Sequence, residues 1–531
     1  MTKLSKSVFV REATGLTREL SASDVLMYNL LDMGLAWPLV YMFFASSGYP
    51  GANLPITVLV GFFPNLIIAL LFYYLSVAMP RTGGDYVWCS RLVHPAIGFM
   101  ESFAVVAFWL SYSGPVDGFL VPYGIGSMFT NLAVATGNPG YLNLATMFSG
   151  QMPLLIGSLV VVATVILVAG FGLRNAFKFQ WATFILTVIG VAIFLIVLGT
   201  SSPEMFKSNF NQLSGANYDG LIQAAHSAGL TTDFTLGGTV IGSLFSFTLY
   251  LGYQTSAYLG GEVRQAHRSQ LIGIVWSTVI FALIVFLVWE APYLIMGGSF
   301  ISAVSQLSAA GNSAYTLPMP PVLSYLIMFA NPNPIVGVLV PLAIIATLFG
   351  SQETIVLMCV RIIFSWSFDG VTPAKLADIS EKRASPNNAL AVVAVVMTIY
   401  VLLSVFAANV LTFFSYTTSG VYLALAFVGV AGILLPYKHK DMFLASPPSV
   451  QRKIAGVPLI AILGVLTLLT GIFVAFIAAS PIFTGAPVNP YYIIAMAVIF
   501  IVGLLAYEGS LHYQKSKGID LSVRFKQIPP E

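Results

Sequence analysis

Polar positions are the exception along this chain, and where they fall divides it. Runs of about 20 apolar residues, the length that crosses the hydrocarbon core of a bilayer, recur twelve times: roughly 22–47, 54–79, 96–121, 152–172, 179–200, 237–260, 271–296, 335–361, 388–408, 411–436, 455–479 and 490–510. Each predicts one membrane-spanning helix. The third run is interrupted by Gly114-Pro115 and Pro122. Between runs, segments such as 201–236 and 297–334 are rich in Ser, Asn, Gly and Pro and read as surface loops. The predicted fold class is an all-α polytopic membrane protein with 12 transmembrane helices.

Two runs break the apolar pattern internally. Run 6 passes from apolar residues into Gly252-Tyr253-Gln254-Thr255-Ser256 and Gly260-Gly261, and ends in charge at Glu262, Arg264 and Arg268. Run 1 carries Asp32 at its middle, followed by Met33-Gly34-Leu35-Ala36-Trp37-Pro38. Pro38 removes a helical hydrogen bond and crowds the preceding turn. Backbone that leaves helical geometry at membrane depth is tolerated where it is buried or lines a watery cavity. A glycine-kinked packing helix is the alternative, since small residues also let helices approach closely. The two breaks stand five spans apart, an odd number, so a second copy of a five-span unit must lie inverted in the bilayer. Paired broken helices in two halves point to a midplane binding site.

The expected organisation is a five-plus-five inverted repeat with broken helices 1 and 6, plus two extra C-terminal helices. Residues 1–21 form the N-terminus, 22–200 the first repeat, 201–440 the second, 441–510 helices 11 and 12, and 511–531 the C-terminal tail.

Composition agrees with the pattern. Charged residues make up 8% of the chain, against about 25% in a soluble domain. Mean hydropathy is +0.88. Of the 23 Lys and Arg residues, all but Lys207 fall on one side of the twelve-span reading. That side is cytoplasmic by the basic-residue rule, which puts both termini inside a multi-pass protein of the cell membrane. The same dispersal argues against nucleic acid as a partner. The first 20 residues lack the apolar core of a cleavable signal. Cys89 and Cys359 fall near the same face, where a structural disulfide is unexpected. All five histidines lie in loops or tails, which argues against a haem or metal-dependent membrane enzyme, and no metal ligands, catalytic residues or cofactor are assigned.

Asp32 is the sharpest candidate for chemistry. A carboxylate near the bilayer centre is expensive, rarely faces lipid and marks a pathway. It suits a substrate ammonium, Na+ or a coupling H+; the structural alternative is a hydrogen bond to Tyr28 or Asn29 one turn back. In span 8, Thr347, Ser351 and Thr354 share one face; their hydroxyls could ligate a small cation or back-bond to their own helix. Glu353 lies on nearly the opposite face, as a relay or a buried partner. Glu101 suits a helix N-terminus, Asp117 the outer mouth, and Glu290 a solvated helix end.

Three stretches resemble the amino acid–polyamine–organocation (APC) superfamily of transporters. They are Pro80-Arg81-Thr82-Gly83-Gly84-Asp85-Tyr86-Val87-Trp88 to Arg91 with His94-Pro95 and Gly98-Phe99; Phe247 through Gly252-Tyr253-Gln254 to Glu262; and Arg361-Ile362-Ile363-Phe364 to Phe368-Asp369-Gly370 and Pro373, with Arg383 to Pro386. The resemblance covers roughly residues 20–436 and implies a leucine-transporter type of repeat and alternating access. It implies a substrate site at Asp32, Met33, Gly34, Ala36, Phe247, Tyr250, Gly252 and Gln254. Where members carry Gly-[Ser/Ala]-Gly in span 1, this chain reads Gly34-Leu35-Ala36-Trp37. The span-5 position of a coupling Lys in some members is Thr187 here. Ser351 and Thr354, with Glu353 and Asp32, complete the candidate ion-coupling set, the ion being H+ or Na+.

The expected function is secondary active transport of an amino acid or related small amine, by a monomer or homodimer. A polyamine or organic cation carrier and an amino acid exchanger are the alternatives within transporters, and a channel is the alternative from another class.

Overall fold

The computed structural model describes residues 18–380, 385–407, 410–478, 480 and 490–526. Lys3, Lys6, Arg11, Lys382 and Arg383 of the basic tally lie outside the described residues. Among the described residues, twelve helices are long and apolar enough to span a membrane: Ala22–Gly48, Leu54–Ala78, Pro95–Gly118, Gln151–Gly170, Leu173–Gly199, Leu236–Tyr258, Ala266–Ala309, Pro334–Phe368, Asn387–Phe406, Thr417–Lys438, Leu459–Ala478 and Ile493–Ser516. They are numbered here spans 1 to 12. The only strands among the described residues are the two-residue pair Lys453–Ile454 and Val457–Pro458. The chain is an all-α polytopic membrane protein.

The spans form a centre and a rim. In span 1, 94% of the apolar window is buried inside the protein, and in span 12, 17%. Spans 1, 3, 6, 8 and 10 are the most enclosed; spans 4, 5, 9 and 12 expose Ile156, Leu167, Ile196, Val395 and Leu505, side chains suited to lipid. Span 11 lies against span 10, where Gly464 meets Gly429 backbone to backbone, the small-residue contact by which membrane helices approach. Span 12 rests on span 3 through Gly503 against Met100 and Phe103.

Three sequence expectations are corrected. Span 8 continues to Phe368, so Arg361 lies within the helix and is buried rather than in a connection. Burial is tolerated because its guanidinium meets the Glu262 carboxylate, and a paired charge avoids the cost of a lone one. Span 7 extends to Ala309 through a wide turn at Tyr293–Gly297. The expected surface loop 297–334 instead contains Leu323–Ala330, a helix buried at every position. Its Phe329 ring joins Phe206, Phe210 and Phe300 in an aromatic cluster, and Tyr218 stacks on Phe300 at 4.4 Å. Ser, Gly and Pro around these rings gave the segment the composition of a loop, while the rings decided its burial.

Candidate functional site

Span 1 is two helices. The first half, Ala22–Met33, begins at a capping box of Ser21 and Asp24 and ends at Gly34, whose left-handed φ of 74° stops the helix. The Gly34 N–H donates to the Leu30 carbonyl at 3.0 Å, and the Trp37 N–H to the Gly34 carbonyl at 3.0 Å. The second half, Pro38–Gly48, starts on Pro38, where a missing N–H costs nothing because helix starts have no acceptor for it. Among the described residues, the Leu35 and Ala36 N–H groups between the halves find no acceptor.

Span 6 breaks at the same depth. Its helix stops at Tyr250, Gly252 adopts φ 121°, and the chain resumes as short tight turns at Thr255–Tyr258 and Gly260–Glu262. The two breaks touch. Gly252 packs on the peptide joining Asp32 to Met33. Asn29, one turn before Asp32, holds the unwound strand in place. Its Nδ2 lies 2.7 Å from the Tyr253 carbonyl, 2.7 Å from the Gly273 carbonyl and 3.0 Å from the Ser256 Oγ. Its Oδ1 accepts from the Ser256 N–H at 2.9 Å and from the Thr255 hydroxyl at 3.1 Å. An amide offers donor and acceptor together, which is what a broken helix with free carbonyls and free N–H groups needs.

Asp32 is buried, and among the described residues neither carboxyl oxygen has a hydrogen-bond partner. The neighbours expected to satisfy it are otherwise engaged. Tyr28 donates to the Thr354 carbonyl at 2.9 Å, and Asn29 serves span 6. Thr255 stands close, but its proton goes to Asn29 and to the Gly252 carbonyl at 2.8 Å. Gln254 accepts from the Gly252 N–H at 3.3 Å and leaves its Nε2 unpartnered; the Tyr253 hydroxyl is also unpartnered. The contact of the two breaks thus holds an orphan carboxyl at Asp32 beside Gly252, with the unpartnered Gln254 amide and Tyr253 phenol on the unwound segment that follows and two free backbone N–H groups on the turn after Asp32.

The remaining candidates separate. Met33, Gly34 and Ala36 are buried at the break. Phe247 meets the Tyr422 ring of span 10 edge-on at 5.3 Å, and its carbonyl accepts from the Tyr422 hydroxyl at 3.2 Å. Tyr250 turns away from Asp32: its hydroxyl reaches the Val58 carbonyl of span 2 at 3.1 Å and its ring packs on Phe281 of span 7. Thr354 and Ser351 back-bond to Gly350 and Leu348. Thr187 pairs with Thr347 at 3.0 Å, joining spans 5 and 8. Glu353 is buried without a hydrogen-bond partner. Asp117, expected at an outer mouth, is fully buried and unpartnered. No group of His, Cys, Asp and Glu suited to a metal ion occurs among the described residues, and both cysteines are free.

Toward the end of the bundle that carries the basic connections, termed here the basic face, the site is sealed. Glu262 receives Arg361 in a two-pronged pair at 2.9 and 3.1 Å, and its carbonyl accepts from the Glu19 and Leu20 N–H groups. Thr82-Gly83-Gly84-Asp85 wedges between spans 6 and 8: the Gly83 N–H donates to the Tyr258 carbonyl, and Ser365 donates to the Thr82 carbonyl. Gly84, at φ 53°, lies against the Tyr258 ring, where a side chain would collide. Arg91 clasps Asp369 with two bonds of 2.7 Å, and Tyr86 donates to the same carboxylate. In the sequence, Glu262, Arg361, Arg91 and Asp369 stand within motifs without visible partners; their pairing joins positions 99 and 278 residues apart, which no local pattern encodes. Asn29 and Tyr422 carried no signal beyond being polar within an apolar run.

A curated protein of Sulfolobus islandicus rod-shaped virus 1, named "Uncharacterized protein 399", is 22% identical over 277 residues, which are 52% of this chain and 56% of that protein. The chain thus spans about half the length of the curated relative it matches. The profile of a family described as amino acid permease, a family of transporters rather than enzymes, matches residues 25–501, and with two broken central helices meeting at a buried carboxyl, the chain belongs to that family, within the APC superfamily.

Proposed function

We propose that the chain is a secondary active transporter that carries an amino acid or related small amine across the cell membrane by alternating access. The observation that carries this reading is Asp32, buried with both oxygens unpartnered at the contact between two broken helices. An isolated carboxylate in a low-dielectric interior calls for a positive partner, and a substrate ammonium supplies charge and donors together. The free Leu35 and Ala36 N–H groups, at the start of the second half of span 1, suit a substrate carboxylate, since a helix start concentrates donors and positive potential. A zwitterion uses both features, whereas an organic cation leaves the amides unused.

Alternating access requires the two ends to open in turn, with the five-plus-five repeat as the rocking unit. The sealed basic face fits a state closed on that side, which the distribution of Lys and Arg assigns to the cytoplasm. The two helix breaks meet at one place, Gly252 against the Asp32–Met33 peptide, and the basic face below them is sealed, which favours a carrier over a channel. Asp32, Ser351 and Glu353 are the groups through which H+ or Na+ would couple.

The test is thermal stabilisation of the purified protein by amino acids, polyamines and related amines, with and without Na+ and at two pH values, since a ligand of the folded state raises its melting temperature. Stabilisation by α-amino acids that disappears in Asp32→Asn, with folding kept, supports the reading. Normal substrate uptake by Asp32→Asn overturns the role of Asp32.

A further inference from the structure

The basic face holds four buried carboxyl groups from four different positions, and they are treated in two different ways. Glu262 and Asp369 each receive an arginine in a two-pronged pair. Asp85 and Glu101 receive none. Asp85 opens the helix Asp85–Leu92, and Glu101 lies on the facing side of span 3. The two helices cross in close contact, with Gly98 against the backbone of Ser90, and this crossing brings the two carboxyls within hydrogen-bond reach of each other. Both residues are fully buried. Asp85 accepts from the Tyr258 hydroxyl on one oxygen and from the Tyr86 N–H on the other. Among the described residues, Glu101 has no donor for either oxygen.

Two facing carboxylates have four oxygens and no proton, so they cannot hydrogen-bond each other; one proton between them satisfies the contact and removes a buried like-charge repulsion. The surroundings offer no other remedy. Helix 85–92 itself contributes Tyr86, Cys89 and Arg91, and the first and last of these are committed to Asp369. Span 6 contributes Tyr258, and span 8 contributes Cys359 beyond that ring. Among the described residues, span 12 and the turn at 521–526 bring no charge to the pair; His439, just past span 10, lies on the Leu92 carbonyl at the far end of helix 85–92, and Arg524 is turned to the Phe368 carbonyl and Gly370. The Asp85 carboxyl is pushed up to about 6, first by burial.

We propose that Asp85 and Glu101 are a proton-binding site, holding one shared proton that keeps the basic-face end of span 6 closed through Tyr258. Release of that proton leaves two adjacent carboxylates. Their repulsion drives helix 85–92 from span 3, loosening the Tyr258 contact and the Gly83-Gly84 wedge and admitting water from the basic face. Proton occupancy is thereby linked to gate position, at a place separate from Asp32. The proposal rests on the alternating-access reading above.

Cys89, one turn along the helix from Asp85, is buried and free and reports the gate without any substrate. The experiment measures the rate at which a small maleimide labels Cys89 in the full chain carrying Cys359→Ser, from mildly acidic to mildly alkaline pH, each rate divided by that of the same thiol in unfolded protein. The expected result is a normalised rate that rises severalfold with pH in the parent and stays low and flat in Glu101→Gln and in Asp85→Asn, where the Asn oxygen still accepts from Tyr258. Infrared spectroscopy of the folded parent supplies a second readout: a protonated-carboxyl band that titrates with pH and is lost in either variant. A rate profile in Glu101→Gln equal to the parent's, or a parent spectrum with no such band, overturns the proposal. Absent uptake with pH-dependent labelling intact would count against the transport reading alone.

Discussion

Gly252 stands so close to the Asp32–Met33 peptide that a methyl carbon on it would lie 2.6 Å from the Met33 nitrogen and 3.0 Å from an Asp32 carboxyl oxygen. Its φ of 121° is also one that other residues adopt only with strain. Gly252→Ala therefore separates the two breaks and strains the backbone, the latter alone costing about 1–3 kcal/mol. The expected outcome is a lowered melting temperature with loss of uptake. An unchanged melting temperature would mean that the breaks do not touch as described.

Asn29 is the clamp on the unwound part of span 6. Asn29→Ala strands the Ser256 N–H and the Tyr253 and Gly273 carbonyls in the interior, each at about 1–3 kcal/mol. Asn29→Asp keeps the acceptor for Ser256 and Thr255 but loses the donor to both carbonyls and adds a buried charge. Both variants are expected to lose stability in thermal unfolding, and neither is expected to be rescued by substrate. Parent-like unfolding of Asn29→Ala would show that span 6 holds its shape without the clamp.

The Glu262–Arg361 pair links the ends of spans 6 and 8 in a fully buried setting. Removing one partner leaves an uncompensated charge and costs about 3–5 kcal/mol, whereas replacing both by apolar residues of similar size is near neutral. Glu262→Leu and Arg361→Met should each destabilise strongly, and the double variant Glu262→Leu/Arg361→Met should recover most of the loss. Additive losses in the double-mutant cycle would contradict a direct pair.

The raised Asp85 carboxyl makes a signed prediction about pH. The folded state holds this proton more tightly than the unfolded chain, where the group titrates near 3.8, against about 6 when folded. Between these values the folded state binds more protons, so stability falls as pH rises through that window and stays lower above it. Asp85→Asn should flatten this part of the stability–pH curve in chemical unfolding. A slope unchanged by the substitution would assign the window to other groups.

Much of the architecture was legible because membrane burial writes directly into composition. A span must be apolar over about 20 residues, so twelve spans, the enclosing bilayer and the two interruptions at Asp32–Pro38 and Gly252–Ser256 stand in the one-dimensional pattern. Glycine, proline and polar residues within an apolar run are local signals of broken backbone, and the breaks fall where those signals lie. Partners at long range are not written this way. That Asn29 rather than Asp32 satisfies span 6, that Tyr250 faces span 2, that Arg361 lies inside a helix against Glu262, and that Asp85 faces Glu101 all depend on how helices cross. A side chain's direction follows from its helix's rotation against its neighbours, and packing of the whole bundle sets that rotation. The same holds for Leu323–Ala330, whose burial depends on rings from distant segments. The sequence determined where this chain spans and where it breaks; only the tertiary structure decided which polar groups meet, because buried hydrogen bonds and charges are satisfied by partners that folding, not sequence order, brings within reach.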